Sequence, residues 1–138
     1  MKAILIDPFA HAITEVDVAK GIQAIYDQIQ AGTFDCVRVH SKKGRSHEET
    51  IYVDDEGLLK PAWGEDEDGN PVLKQAFFRW TGYDQPLAGR ALVLGTNMDT
   101  GDSEDTLLTV EEVEMIVKWL TFAPGDEPQP MMQFVPLS

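Results

Sequence analysis

Four consecutive apolar residues, Ala91-Leu92-Val93-Leu94, stand between Gly89-Arg90 and Gly95-Thr96, with Pro86-Leu87 just upstream. Successive side chains of a strand point to opposite faces, so a strand with one wet face alternates apolar and polar residues. A strand without alternation is covered on both faces. The chain must therefore supply apolar layers to both sides of residues 89–96, which makes them the central strand of a sheet. A polar excursion over 97–106 follows, and then Thr109-Val110-Glu111-Glu112 matches a capping box, threonine at the cap and glutamate at the third helical position. Val110, Val113, Val117 and Leu120, widened by Ile116, recur at helical spacing, and Glu111, Glu112 and Glu114 sit at the positive helix end with Lys118 near the negative one. This pattern predicts a helix over 110–122, ended by Pro124.

The rest of the chain supplies the partners of that strand. Residues 2–7, with Ile4-Leu5-Ile6, read as a buried strand stopped by Pro8, and residues 12–16 as a second strand across a turn at 8–11. Asp17 is placed to cap a helix over 18–30, because Val18, Ile22, Ile25, Tyr26 and Ile29 share one face and Gly32 stands where a left-handed C-terminal residue is wanted. Residues 34–40 form a strand with Val37 and Val39 on one face and Phe34, Cys36, Arg38 and His40 on the other. Residues 49–54 form the next strand, and a turn at Asp55-Glu56-Gly57 leads to a short arm at 58–60. Residues 61–71 read as a solvated loop, since their run of acids repels itself, with Trp63 pinning the start to the body. Residues 72–80 are a strand, straight or bent, followed by a turn at 81–84. The tail changes from Pro124, Pro128 and Pro130 to Met131, Met132, Phe134 and Val135, a composition that adds an edge strand, packs on the body or docks on a partner.

These elements predict an α+β fold: one domain over 1–138, with a mostly antiparallel sheet of five to six strands and two helices packed on one face. The alternative is a mixed sheet with residues 2–7 and 90–95 at its centre. A hydrophobic fraction of 43% fills an ordinary core, and the single cysteine, Cys36, cannot form an intramolecular bridge. The N-terminal apolar run is too short for a signal peptide, and no stretch approaches the roughly 18 apolar residues of a membrane span. A soluble cytoplasmic protein with no membrane partner is the expectation.

The net charge is −13, and nearly all of it falls after residue 50. Direct binding to nucleic acid is disfavoured, because phosphates are held by cationic side chains. The acids Glu65, Asp66, Glu67 and Asp68, with Asp102, Glu104 and Asp105, form a candidate surface for a basic protein.

Catalytic signatures are missing from the sequence: there is no dinucleotide or phosphate loop, no nucleophile elbow, no paired cysteines and no zinc-protease helix. No cofactor, metal or catalytic residue is assigned. Cys36 and His40 are four apart on a strand, roughly 13 Å between Cα atoms, which is too far for a nucleophile–base pair. Cys36, His40 and His47 lack a fourth zinc ligand and a regular spacing. The calcium-loop spacing fails from Asp66, where Pro71 and Phe77 take the glycine and glutamate places, and from Asn97, where Asp102 and Leu108 do. Arg38, His40, Arg79, Trp80, Tyr83 and Arg90 are the remaining binding candidates, since arginines and aromatics dominate binding hot spots.

Three segments together resemble a known family: Tyr52-Val53-Asp54-Asp55-Glu56-Gly57-Leu58-Leu59, then Pro86-Leu87-Ala88-Gly89-Arg90-Ala91-Leu92-Val93-Leu94-Gly95, then Leu107-Leu108-Thr109 opening a helix. The pattern is similar to a family of small uncharacterised proteins carried by bacteriophages, plasmids and other mobile elements. The resemblance spans residues 50–120 and implies a setting, that of a mobile-element accessory protein, without an activity. Joined to the charge asymmetry, it leads to a non-catalytic interaction protein that modulates a basic host protein. A small-ligand binder or minor enzyme on the Arg38/His40 face, and a homodimer assembled through the tail, are the alternatives.

Overall fold

The computed structural model describes residues 1–40, 46–57 and 61–124, with His40 described by its backbone alone. The first half contains β1 (Lys2–Asp7), β2 (Ala12–Asp17), α1 (Ile22–Ile29), β3 (Phe34–His40) and β4 (His47–Asp54). Short strands follow: β5 (Trp63–Glu65), β6 (Pro71–Leu73), β7 (Phe77–Trp80) and β8 (Leu87–Ala88). The last part holds β9 (Ala91–Asn97), β10 (Ser103–Glu104), α2 (Val110–Ile116) and β11 (Val117–Leu120). The fold is α+β with antiparallel sheets.

β9 is buried from Ala91 to Thr96. It lies in a six-stranded sheet of order β2-β1-β9-β4-β3, with β10 paired to the end of β9. Both long neighbours are antiparallel to it, through Ile4↔Val93 on one side and Ile51↔Val93 on the other. The two-residue period then divides the core. Ala91 and Val93 join Ile4, Ile6, Ile51 and Val53 in a cluster that is closed by Phe78, Trp80, Val113 and Val117. Leu92 and Leu94 join Ala3 and Tyr52 on the other face, closed by Val18, Ile25 and Ile29. The helices consequently lie on opposite faces. The expectation of both on one face fails because β9 is apolar on each side, and α1, with Val18 just before it, covers one of them. The other is covered by α2 and a second sheet, β11-β7-β8. The far side of that second sheet holds a small third cluster, Ala62, Phe77, Ala88 and Leu120, with Trp63 and Phe122 against it.

Local differences from the expected elements have local causes. α1 starts at Ile22 instead of 18, because Gly21 takes φ 112°, ψ 156°, a conformation open only to glycine. Val18 reaches the same apolar cluster from an extended segment, and Asp17 ends β2 instead of capping the helix. The left-handed C-terminal position is Gln30, φ 55°, rather than Gly32, and its N–H donates to the Tyr26 carbonyl at 2.8 Å. Residues 61–71, expected as a loop, contain the β5–β6 hairpin, in register Trp63↔Leu73. Trp63 does pin that segment, its indole N–H donating to the Phe122 carbonyl at 2.7 Å. Residues 72–80 are bent, β6 and β7 being separated by Lys74–Ala76.

The predicted helix over 110–122 divides into two elements. Thr109 caps α2 with the full capping box: its hydroxyl accepts the Glu112 N–H at 3.1 Å, and the Glu112 carboxylate accepts the Thr109 N–H at 3.1 Å. From Val117 the chain is extended and pairs with β7 through Val117↔Trp80 and Leu120↔Phe77. As a strand, Val117 and Trp119 face the main core while Leu120 faces the third cluster. The short arm at 58–60, the basic cluster Lys42-Lys43-Gly44-Arg45 and the tail 125–138 lie outside the described residues. No helix among the described residues is long and apolar enough to cross a membrane. Because Thr109 satisfies a helix-end N–H, Thr109→Ala should lower stability by about 1 kcal/mol, measured by urea unfolding, with Thr109→Ser retaining most of it.

Candidate functional site

His47 and Glu49 are alternate residues of β4, so they share a face, and that face continues inward to Ile51 and Val53. Glu49 is opposite Gly95 of β9, and Gly95 is opposite Glu104 of β10. Two carboxylates thus flank a glycine in one row across three strands. The His47 imidazole lies over that glycine. Its Nε2 meets the Glu49 carboxylate and its Nδ1 meets that of Glu104. A Cβ at position 95 would run into His47 Cε1 and would stand 2.6 Å from the Asp105 carbonyl oxygen. Glycine is what makes room for the ring.

Glu49 is fully buried. An ionised carboxylate there is costly unless its lone pairs are occupied. They are: the Thr106 hydroxyl donates to Oε1, the Leu107 N–H donates to Oε2 at 3.1 Å, and His47 adds its ring. The Glu104 side chain is 37% exposed, so this cluster reaches water only at its outer end. Burial draws the His47 proton affinity down, but the hydrogen bonds and charges of Glu49 and Glu104 outweigh it, and the net pKa lies above 6.5. As an imidazolium the ring donates from both nitrogens at once. With each nitrogen engaged by a carboxylate, the cluster binds β10 and the segment entering α2 to β4. It has no ring nitrogen left to move a substrate proton.

The sequence-derived candidates are dispersed. Arg38 is exposed on the face of β3 that looks toward the α1 side, and its Nε is 3.6 Å from Glu48. Arg79 is exposed on the second sheet, while Trp80 points the other way into the main core and Tyr83 is half-buried against that core. Arg90 is committed to the fold: its Nε is 3.4 Å from Asp7, its NH1 donates to Gln30 at 3.0 Å, and its guanidinium lies 4.8 Å over Phe9. The structure does not gather Arg38, Arg79 and Arg90 into one pocket, and the His40 side chain lies outside the described residues.

Cys36 is exposed. Its thiol is pushed up, first by partial desolvation of the sulfur and then by the Asp35 carboxylate, against the pull of Arg38. A raised thiol is a poor nucleophile. Among the described residues no group of His, Cys, Asp and Glu has metal-holding geometry.

Of the acids, Glu65, Asp66, Glu67, Asp68, Asp102 and Asp105 are exposed, whereas Glu104 belongs to the buried cluster. Asp66 organises its own turn. Its Oδ1 accepts the N–H groups of Asp68 at 2.9 Å and Asn70 at 2.8 Å. Those bonds, the Asn70 one foremost, hold its carboxyl below the usual carboxylate range. Asn97 does the same for the next turn, accepting from Asp99 at 2.9 Å and Thr100 at 3.2 Å. The Glu49–Gly95–Glu104 row was missed by sequence reasoning. Its visible signal is the alternation His47-x-Glu49-x-Ile51-x-Val53, in which two polar residues continue an inward apolar face.

Comparison with protein families matches residues 1–121 to a domain of unknown function, DUF3846. The match extends the resemblance noted over residues 50–120 to the N-terminal strands and α1. No curated protein and no solved structure gives a match.

Two measurements check the cluster. Gly95→Ala should destabilise by about 2–3 kcal/mol, read from denaturant unfolding, because neither a core histidine nor a backbone carbonyl can move away freely. The folded state holds the His47 proton more tightly than the unfolded chain does, so its stabilisation is complete below pH 6.5 and fades as pH rises through the higher folded value. Thermal unfolding followed from neutral into alkaline pH should show this decline, and His47→Gln should flatten it.

Proposed function

The chain belongs to the DUF3846 family, whose function is undefined, and from its own residues we propose a non-catalytic interaction protein that receives a basic protein partner on its acidic turns. The observation that supports this reading is how the acids are held. The turn at 66–70 is tied by Asp66 and leaves Glu65, Glu67 and Asp68 in solvent, and the turn at 97–101 is tied by Asn97 with Asp99 and Asp102 beside it. Charges on turns with a set backbone lose little entropy on binding, and a single-sign field speeds encounter with a cationic surface. An excess of 24 acids over 11 basic residues sets the sign of that field.

The mobile-element setting implied by the resemblance makes the partner a host protein and the role modulation. A cytoplasmic location suits the exposed, unbridged Cys36, which stays reduced there.

The test immobilises the full chain and a variant with Glu65→Gln, Glu67→Gln and Asp68→Asn, leaving Asp66 to hold the turn. The wild type should retain a basic protein from a lysate at about 0.05 M salt and release it by about 0.5 M, as screened charges do. The variant should retain several times less. Equal retention by both chains, or no specific retention at low salt, would refute the reading.

A further inference from the structure

The β1–β2 turn and the junction of α2 with β11 border an open cleft of about 310 Å³, lined by His11, Ala12, Ile13, Glu114, Val117 and Trp119. The turn is drawn in by Asp7, whose Oδ1 accepts the N–H of Phe9 at 3.0 Å and of Ala10 at 3.3 Å. His11 then takes φ 51°, a backbone conformation that non-glycine residues seldom adopt. That conformation accompanies a ring lying flat on Trp119, with centroids 5.0 Å apart and planes at 6°. Trp119 is half-buried against the main core and Val117 is buried, so the floor is firm, while His11 stays exposed on top of the stack. At the rim stands Glu114, exposed, with no hydrogen bond or ion pair to any described residue. The lining holds a carboxylate and stacked π surfaces, and neither lysine nor arginine.

We propose that this cleft receives an arginine side chain of the basic partner, its guanidinium laid against the exposed His11 ring of the stack and paired with the Glu114 carboxylate. The inference rests on the acidic-interaction reading and adds to it a seat and a residue preference. A guanidinium is flat, weakly hydrated and forked, so it can stack and pair with a carboxylate at once, whereas an ammonium is a strongly hydrated point charge. The volume is at the lower limit of small-molecule sites, roughly 300 Å³, which suits one long side chain better than a cofactor. β2 is an outer strand of the main sheet, with no further strand paired to it among the described residues, and it leads from the cleft.

The test is an amide and indole NMR titration of the full chain with capped tri-arginine and tri-lysine peptides at low salt. Tri-arginine should give saturable shifts at Ala12, Ile13, Glu114, Val117 and the Trp119 indole, and should bind more tightly than tri-lysine. Glu114→Gln should weaken tri-arginine about three- to fivefold, the scale of one exposed ion pair. His11→Gly keeps the left-handed backbone and removes the ring, and should weaken it as well. Arginine shifts confined to residues 65–70 and 97–105 and unchanged in both variants would overturn the cleft while leaving the acidic-surface reading standing. Equal affinity for the two peptides would overturn the arginine preference. No shift with either peptide would overturn the cleft together with the reading beneath it.

Discussion

Everything in this fold leans on a strand that has no wet face. β9 pairs with β1 over residues 91–93 and with β4 over residues 92–97, and gives Ala91 and Val93 to one core, Leu92 and Leu94 to the other. Each face needs its own cover, and the chain provides two unlike ones. α1 and Val18 just before it close the side that Leu92 and Leu94 present. The opposite side is wider, and α2 covers it only together with a second small sheet. That requirement explains why the residues after Ile116 leave the helix: as β11 they pair with β7 and place Val117 and Trp119 on the core.

The same strand also accommodates a buried charge cluster. At Gly95 the apolar run stops, and the missing side chain admits an imidazole between two carboxylates. The arrangement resolves an electrostatic problem locally. Glu49 is out of water, and the Thr106 hydroxyl, the Leu107 N–H and His47 occupy its oxygens. A buried ionic group of this kind gives little net stability over a well-packed apolar alternative, but losing any member leaves the others exposed to a large desolvation cost. Its effect is to hold the crossing from β10 into α2 in one register against β4.

Cationic and anionic groups are used differently. Arg90 is spent inside the molecule, joining Asp7, Gln30 and Phe9, and Arg38 pairs with Glu48. The acids are displayed instead, on turns whose backbones are tied by Asp66 and Asn97. Asp66 serves the turn itself, so the acids that meet solvent without a structural duty are its neighbours Glu65, Glu67 and Asp68. Glu114, too, is displayed: it stands beside the His11–Trp119 stack with no protein partner among the described residues.

The amino-acid order alone determined the features that depend on near neighbours. The double-sided strand is legible in four apolar residues without alternation, the start of α2 in Thr109 and Glu112, and the strand at 34–40 in the alternation of Val37 and Val39. The sign of the surface follows from composition. Features that depend on distant residues were decided only by the tertiary structure. Val117-Lys118-Trp119-Leu120 is too short for periodicity to distinguish helix from strand, and the open edge of β7 chose strand. Asp66 reads as one of a run of repelling loop acids until its hydrogen bonds to the N–H groups of Asp68 and Asn70 in a hairpin turn are counted. His47, Glu49 and Glu104 are up to 57 residues apart, and no local pattern says that they meet over Gly95. Local propensity reaches only a few residues along the chain, whereas a buried charge is settled by whichever groups the sheet register brings within a hydrogen bond of it.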